Sequence, residues 1–386
     1  MAVELLPGNR LTLLRSGVEY FPALEAAIGA AQREIFLEAY IYTGDATGRR
    51  ITRALCEAAS RGVAVHVLVD GFGSKDMPKK LMEQLHEAGA KLLVYRPKIS
   101  PLTLRRERLR RMHRKIAVAD GRVAFVGGIN IIDDMETPRQ KPPRYDYAVK
   151  VEGPLLGPIR EAAVRLWNRV ALAALEHRWR VSHPVPPHLA RAGSQRAALV
   201  VRDNLRHRRD IEEAYLAAIG SAQQEIIIAS AYFFPGTRFR RALVRAAERR
   251  VRVVLLLQGR IEYVLLHYAS RALYGTFLEA GVEIYEYHRS FMHAKVAVID
   301  GHWATVGSSN IDPFSLMLAR EANVVVEDRR FAVRLRSLLR ADIEQGARVV
   351  AKTSWFGQPL WRRIPIWFGY GLARFTMGMF GLGGRF

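Results

Sequence analysis

The sequence predicts an α/β fold of two pseudo-symmetric halves, each a mixed β-sheet flanked by helices. Three observations predict it. A five-point pattern occurs twice, 180 residues apart: His113, Lys115, Asp120, Gly127 and Asn130, then His293, Lys295, Asp300, Gly307 and Asn310. From each His the Lys lies two on, the Asp seven, the Gly fourteen and the Asn seventeen. A second echo precedes each copy: the chain reads AIGAAQREI from Ala27 and AIGSAQQEI from Ala218. Around these landmarks, helical and strand periodicities alternate, the pattern of a layered α/β domain.

The elements follow in the same order in each half. An Ala-rich amphipathic helix leads into a short apolar strand, at 35–41 and at 226–233. A second helix follows near 48–60 and 237–249. The β-branched runs at 63–69 and 251–257 are too short and too Val-rich for helices and read as strands. A further helix leads to strands at 91–95 and 282–287.

The boxes themselves read as strands, 113–119 and 293–299. Side chains alternate at period two, so His113 and Lys115 share one face, as do His293 and Lys295. Each pair is placed to converge on one anion. Asp120 and Asp300 complete the boxes and are counted with the catalytic residues, although they fall on the opposite pleat, where bracing the turn is their expected part. The next strands, 123–126 and 304–306, end at turns. There the backbone N–H groups of Gly127, Gly128, Gly307 and Ser308 come alongside Asn130 and Asn310. Residues 1–176 form the first half and 196–350 the second. Residues 177–195, with Pro184, Pro186 and Pro187, are the linker, and 351–386 a tail.

Composition narrows the partners. A formal charge of +22 over 386 residues implies a polyanion, either nucleic acid or an anionic membrane surface. The single Cys56 excludes an intrachain disulfide framework. Neither a secretory signal over the first 20 residues nor an uninterrupted apolar span of 18 is present. Of 59 basic residues only ten are Lys, and between Lys150 and Lys352 the sole lysine is Lys295. Where arginine is the default cation, a retained lysine points to a compact, single-point donor.

The paired His-x-Lys-x₄-Asp boxes, each followed by Gly-[Gly/Ser]-x-Asn, resemble the phospholipase D superfamily over nearly the whole chain. Residues 111–116, 124–128, 146–149, 231–236, 302–310 and 321–324 resemble its bacterial cardiolipin synthase B branch. The resemblance implies one active site at the interface of the two halves and two-step phosphodiester chemistry. One imidazole attacks phosphorus while the other protonates the departing alcohol and then deprotonates the incoming one. The family pattern gives the nucleophile to His113 and the acid/base role to His293, with Lys115, Lys295, Asn130 and Asn310 neutralising the phosphate. It also implies carboxylates that orient the imidazoles. Asp146 follows His113 by 33 residues and Glu321 follows His293 by 28. No metal-ligand spacing is evident, so neither metal nor other cofactor is expected.

Superfamily members include nucleases, and a basic chain suits those as well. A binding protein with a dead site is disfavoured by two complete boxes. Lipid is favoured by three features. Arg105, Arg106, Arg108, Arg110 and Arg111 interleave with Leu102, Leu104 and Leu109 before the first box. The tail carries Trp355, Trp361, Ile366, Trp367 and Phe368, in apolar runs cut by Arg362, Arg363 and Arg374, a pattern for lying at headgroup depth. The third is the branch resemblance. The expectation is a phosphatidyltransferase that joins two phosphatidylglycerols and releases glycerol, peripheral on the cytoplasmic face of a bacterial cell membrane. Its partners are anionic phospholipids and the membrane surface rather than nucleic acid.

Overall fold

The computed structural model describes residues 3–97, 110–136, 141–182, 185–203, 207–312, 315 and 318–379. In the first half the chain runs β1 (Leu6–Arg15), α1 (Ser16–Ala30), β2 (Glu34–Ala39), α2 (Ala46–Ser60), β3 (Ala64–Asp70), α3 (Lys79–Glu87) and β4 (Lys91–Tyr95). It continues through β5 (Lys115–Ala119), β6 (Val123–Gly127), β7 (Arg144–Tyr145), β8 (Tyr147–Glu152) and α4 (Leu156–Ala173). The second half repeats this plan: β9 (Gln195–Arg202), α5 (Asp210–Ser221), β10 (Glu225–Ser230), α6 (Thr237–Glu248), β11 (Arg252–Gln258), α7 (Val264–Arg271) and α8 (Tyr274–Glu279). Then come β12 (Glu283–Tyr287), β13 (Phe291–Met292), β14 (Lys295–Ile299), β15 (Trp303–Gly307), β16 (Glu321–Glu327) and α9 (Arg329–Gly346). The chain ends in β17 (Ala347–Val349), α10 (Lys352–Phe356) and α11 (Leu360–Met379).

The two halves share one sheet. The first contributes β4-β3-β2-β5-β6-β8-β1 and the second β12-β11-β10-β14-β15-β16-β9, the same order twice, with β17 added at the outer edge of β12. Antiparallel pairing of β1 with β9 fuses them. Within each half the outer three strands are parallel and the rest antiparallel, so both sheets are mixed. One face is covered by α4 and α9, the other by α1–α3 and α5–α8.

Burial on both faces explains why the strands read as continuous apolar runs. In β5, Ile116 and Val118 join the core under α4, whereas Ala117 and Ala119 face α1 and α2. The core under α4 and α9 is common to both halves, a single cluster that holds Trp167 and Ile159 from one and Val296 and Leu335 from the other. The halves therefore form one body. The start of the segment between them packs on α4: Trp167 donates to the Trp179 carbonyl (2.7 Å), and Asn168 exchanges hydrogen bonds with Val181.

Two expectations change. Neither box begins its strand at the histidine, because β5 starts at Lys115 and β14 at Lys295. His113 N–H instead donates to the Arg320 carbonyl (2.9 Å) and His293 N–H to the Tyr145 carbonyl (2.7 Å). Each histidine is thus hung on the backbone of the opposite half. The tail, read from sequence as a surface-lying segment, is a helix docked on α7. Ile366 and Ala373 are buried, and a Cβ at Gly369 would lie 2.8 Å from Tyr268 Cβ, so glycine lets the two helices approach. Ile366 therefore packs inward, while Trp361, Ile364, Trp367, Phe368 and Phe375 stay more than half exposed. No helix among the described residues is long and apolar enough to cross a membrane. The arginine-rich stretch with Leu102, Leu104, Leu109, Arg105, Arg106 and Arg108 lies outside the described residues, as do 380–386.

Candidate active site

Both boxes open onto the junction between the halves, where the carboxylates are exchanged. His113 Nδ1 lies 2.9 and 3.1 Å from the Glu321 oxygens, and His293 Nδ1 lies 2.7 Å from Asp146 Oδ2. Each imidazole is therefore oriented by the acid of the other half. An ionised carboxylate only accepts, so Nδ1 donates and Nε2 is left free, to attack through its lone pair or to carry a proton for transfer. The crossing follows from the backbone. β13 pairs with β7, and Met112 forms a bridge to Arg320, which carries Asp146 and Glu321 past the opposite histidine.

The two lysines sit beneath the histidines, fully buried. Lys115 Nζ donates to the His113 carbonyl (2.6 Å) and lies 5.2 Å from the centre of the Tyr40 ring. Lys295 Nζ donates to the His293 carbonyl and to Asp146 Oδ2, 3.2 Å away. Burial pushes Lys115 down to about 7 and Lys295 down to about 8. Burial also lowers both imidazoles, and the neighbouring Lys295 and Arg144 charges help carry His293 well below its ordinary range. Burial in turn raises the Asp146 carboxyl. Such a cluster is short of negative charge, and a bound phosphodiester anion would favour its protonated cations.

The asparagines complete it. Asn130 Oδ1 accepts from the Ile41 N–H (3.0 Å), leaving its buried NH₂ without a partner. In Asn310 the unpartnered amide atom is Oδ1 as placed, and a half turn of the amide presents NH₂ there instead. Buried amide atoms left unpaired cost stability unless a ligand meets them.

Other predicted residues take different roles. Asp120 accepts from the backbone N–H groups of Gln32, Arg33 and Glu34 at 2.8–2.9 Å, and Asp300 does the same for Gln223, Gln224 and Glu225. These carboxylates tie each box to the start of the neighbouring strand, away from the histidines. Gly127, Gly128, Gly307 and Ser308 were predicted to bind phosphate, and here the geometry corrects the prediction. The N–H groups of Gly128 and Ser308 are spent on the Tyr147 and Ala322 carbonyls, and Gly127 and Gly307 belong to strand ladders. A Cβ at Gly128 would stand 2.4 Å from the Asp146 carboxylate, so the acid occupies the space that a side chain would need. In the other half that space holds the Ser308 hydroxyl, which donates to Glu321.

Sequence reasoning missed Tyr40, whose ring lies 4.6 Å from that of His113, Tyr232, 6.5 Å from His293, and Arg144. An Ala-Tyr pair at the C-terminal end of the strand that follows the echo, at 39–40 and, one residue later, at 231–232, was the available signal for the tyrosines.

Lys115→Arg and Lys295→Arg should each cut phosphodiester turnover by about 10²–10³, the cost of misplacing one transition-state donor. Exposed Lys352→Arg should be silent. Equal, small effects in all three variants would remove the point-donor role.

Comparison with known proteins places this geometry. A family model described as "Cardiolipin synthase, PLD-like domain" matches residues 24–137 and 215–343, one segment in each half. Cardiolipin synthase B of Shigella flexneri is 42% identical over 346 residues, covering 90% of this chain and 83% of that protein. Cardiolipin synthase B of Escherichia coli (strain K12) matches at the same identity and coverage. The crystal structure of phosphatidylserine synthase from Haemophilus influenzae Rd KW20 superposes with a TM-score of 0.72 over 99% of this chain and 97% of that one. At 13% sequence identity this is a likeness of fold. With both boxes and both orienting acids in place, the chain belongs to the phospholipase D-like cardiolipin synthase family.

Proposed function

We propose that the protein is a cardiolipin synthase, a phosphatidyltransferase that moves the phosphatidyl group of one phosphatidylglycerol onto the glycerol hydroxyl of another. The observation that carries this is the crossed pair of His–carboxylate couples above two buried lysines, in a chain so similar to cardiolipin synthases B. The donor phosphate lies between Lys115, Lys295 and the two Asn amides. His113 Nε2 attacks phosphorus, the bond to the glycerol oxygen breaks, and His293 gives that oxygen its proton. The acceptor hydroxyl then returns a proton to His293 as its oxygen attacks phosphorus and the N–P bond breaks. Water competes with the acceptor, so the synthase must keep the intermediate dry.

The site works on a membrane surface, on the cytoplasmic face of a bacterial cell. The outer side of α11 supports this, because Trp361, Phe368 and Phe375 are 64, 72 and 64% exposed. Next to it Tyr263 and Val264 at the start of α7 are also exposed, and Tyr263 packs on Tyr232 beside His293. Aromatic insertion and attraction of basic residues, about 1 kcal/mol per cation near the surface, act together there.

The test of function is incubation of purified protein with phosphatidylglycerol vesicles and mass spectrometry of the products. Cardiolipin is the expected product. Phosphatidic acid alone would make the protein a hydrolase, and DNA cleavage without lipid turnover a nuclease. The membrane face is tested by Phe368→Ser/Phe375→Ser. Both side chains are exposed, so the variant should keep the wild-type melting temperature and its activity on detergent-dispersed lipid. It should also leave phosphatidylglycerol vesicles more completely at high salt. Unchanged sedimentation would rule out α11 as the anchor.

A further inference from the structure

Joining two phosphatidylglycerols requires two phosphate groups in the cleft, one reacting and one standing a glycerol's length away on the acceptor. The paired boxes account for the reacting phosphate alone. Arg144 opens β7, two residues before Asp146. It is 91% buried, with its guanidinium 5.1 Å from the centre of the Phe291 ring, and that ring stacks 6.0 Å from His293.

Its charge is felt at Lys115, Lys295, His293, Asp146 and Asp134, and on the other side at the packed pair Tyr232 and Tyr263, so it stands between the reacting centre and that pair. No hydrogen bond or ion pair reaches the guanidinium among the described residues. Asp146 is already engaged by His293 and Lys295, and Asp134 accepts from the Gly17 N–H. A buried cation with no carboxylate of its own is costly, and a planar guanidinium fork suits a phosphate. The His113 side draws its cation from elsewhere: Arg111, whose carbonyl accepts from the Arg320 N–H, stands over the Phe72 ring and acts on Tyr40. Counting back from the orienting acids, position 144 corresponds to Ala319.

We propose that Arg144 forms a second anion subsite that holds the phosphate of the acceptor lipid beside His293. The inference rests on the transferase reading. A one-substrate hydrolysis has no use for a further buried cation beside the reacting phosphate, whereas a reaction between two anionic lipids does.

The test compares two reactions of the same covalent intermediate. One is transfer to phosphatidylglycerol, read as cardiolipin. The other is exchange with labelled free glycerol, an acceptor without phosphate, read as label entering phosphatidylglycerol. In Arg144→Gln and Arg144→Ala, cardiolipin formation should fall about 10–100-fold further than glycerol exchange, the scale of one lost charged contact. The loss should appear as a raised KM for acceptor lipid. Arg144→Lys, which keeps the charge without the fork, should recover part of the difference. If the ratio of the two reactions stays at the wild-type value, the acceptor subsite is wrong, whether both rates fall together or neither moves. The Gln variant covers the case in which Ala unfolds the protein. A wild-type protein that exchanges glycerol or hydrolyses lipid but makes no cardiolipin would overturn the transferase reading itself, and that control is independent of Arg144.

Discussion

His113→Asn is expected to abolish the covalent intermediate and to lower cardiolipin formation by about 10⁴-fold or more, the scale on which enzymes lose activity with their nucleophile. The partner variant His293→Asn loses the proton donor instead, worth about 10²–10⁴. It should still form the adduct slowly and then fail to discharge it. Rapid quenching of wild type into alkali, followed by peptide mapping, should find a base-stable, acid-labile phosphoramidate on His113. An adduct on His293 would exchange the two roles, and no adduct in a single turnover would sink the two-step route. EDTA should leave the rate unchanged, since lysines and amides supply the donors. Inhibition that a divalent ion reverses would contradict this.

The exchanged carboxylates carry the second large effect. Glu321→Gln and Asp146→Asn nearly preserve shape but lose the charge that fixes each imidazole with its proton on Nδ1. In a comparable His–Asp arrangement the amide substitution costs roughly 10⁴ in turnover. The crossing makes the outcomes specific. Glu321→Gln, in the C-terminal half, should prevent adduct formation at His113 in the N-terminal half. Asp146→Asn should resemble His293→Asn, with an adduct that forms slowly and persists. The opposite assignment of these two phenotypes would mean that each acid serves its own half. Glu327→Gln, in the same strand as Glu321 but paired with exposed Arg196, should be close to wild type.

Much of this site was legible because its local parts repeat. The five-point spacing identifies the residues, and pleat parity correctly separates Lys115 and Lys295, which face the cleft, from Asp120 and Asp300, which bind backbone N–H groups of the adjacent strand start. Alternating strands and helices indicate the layered fold. The small residues after each box were harder. A glycine in sequence can mean an N–H offered to phosphate or room for another side chain, and Gly128 makes room for Asp146.

Sequence by itself determined the repeat, the two His-Lys pairs, the bracing aspartates and the apolar, aromatic character of the tail. All are properties of residues within a strand, a turn or a helix, where period and spacing report the geometry directly. Tertiary structure alone decided which acid holds which imidazole, how Arg144 joins the site and which face of α11 is free. The paired residues stand 208 and 147 positions apart, and they meet through β7–β13 pairing and the Met112–Arg320 bridge across the two halves. Periodicity carries no register between such distant segments. That register is set when the two half-sheets close edge to edge at β1 and β9 and bury a common core.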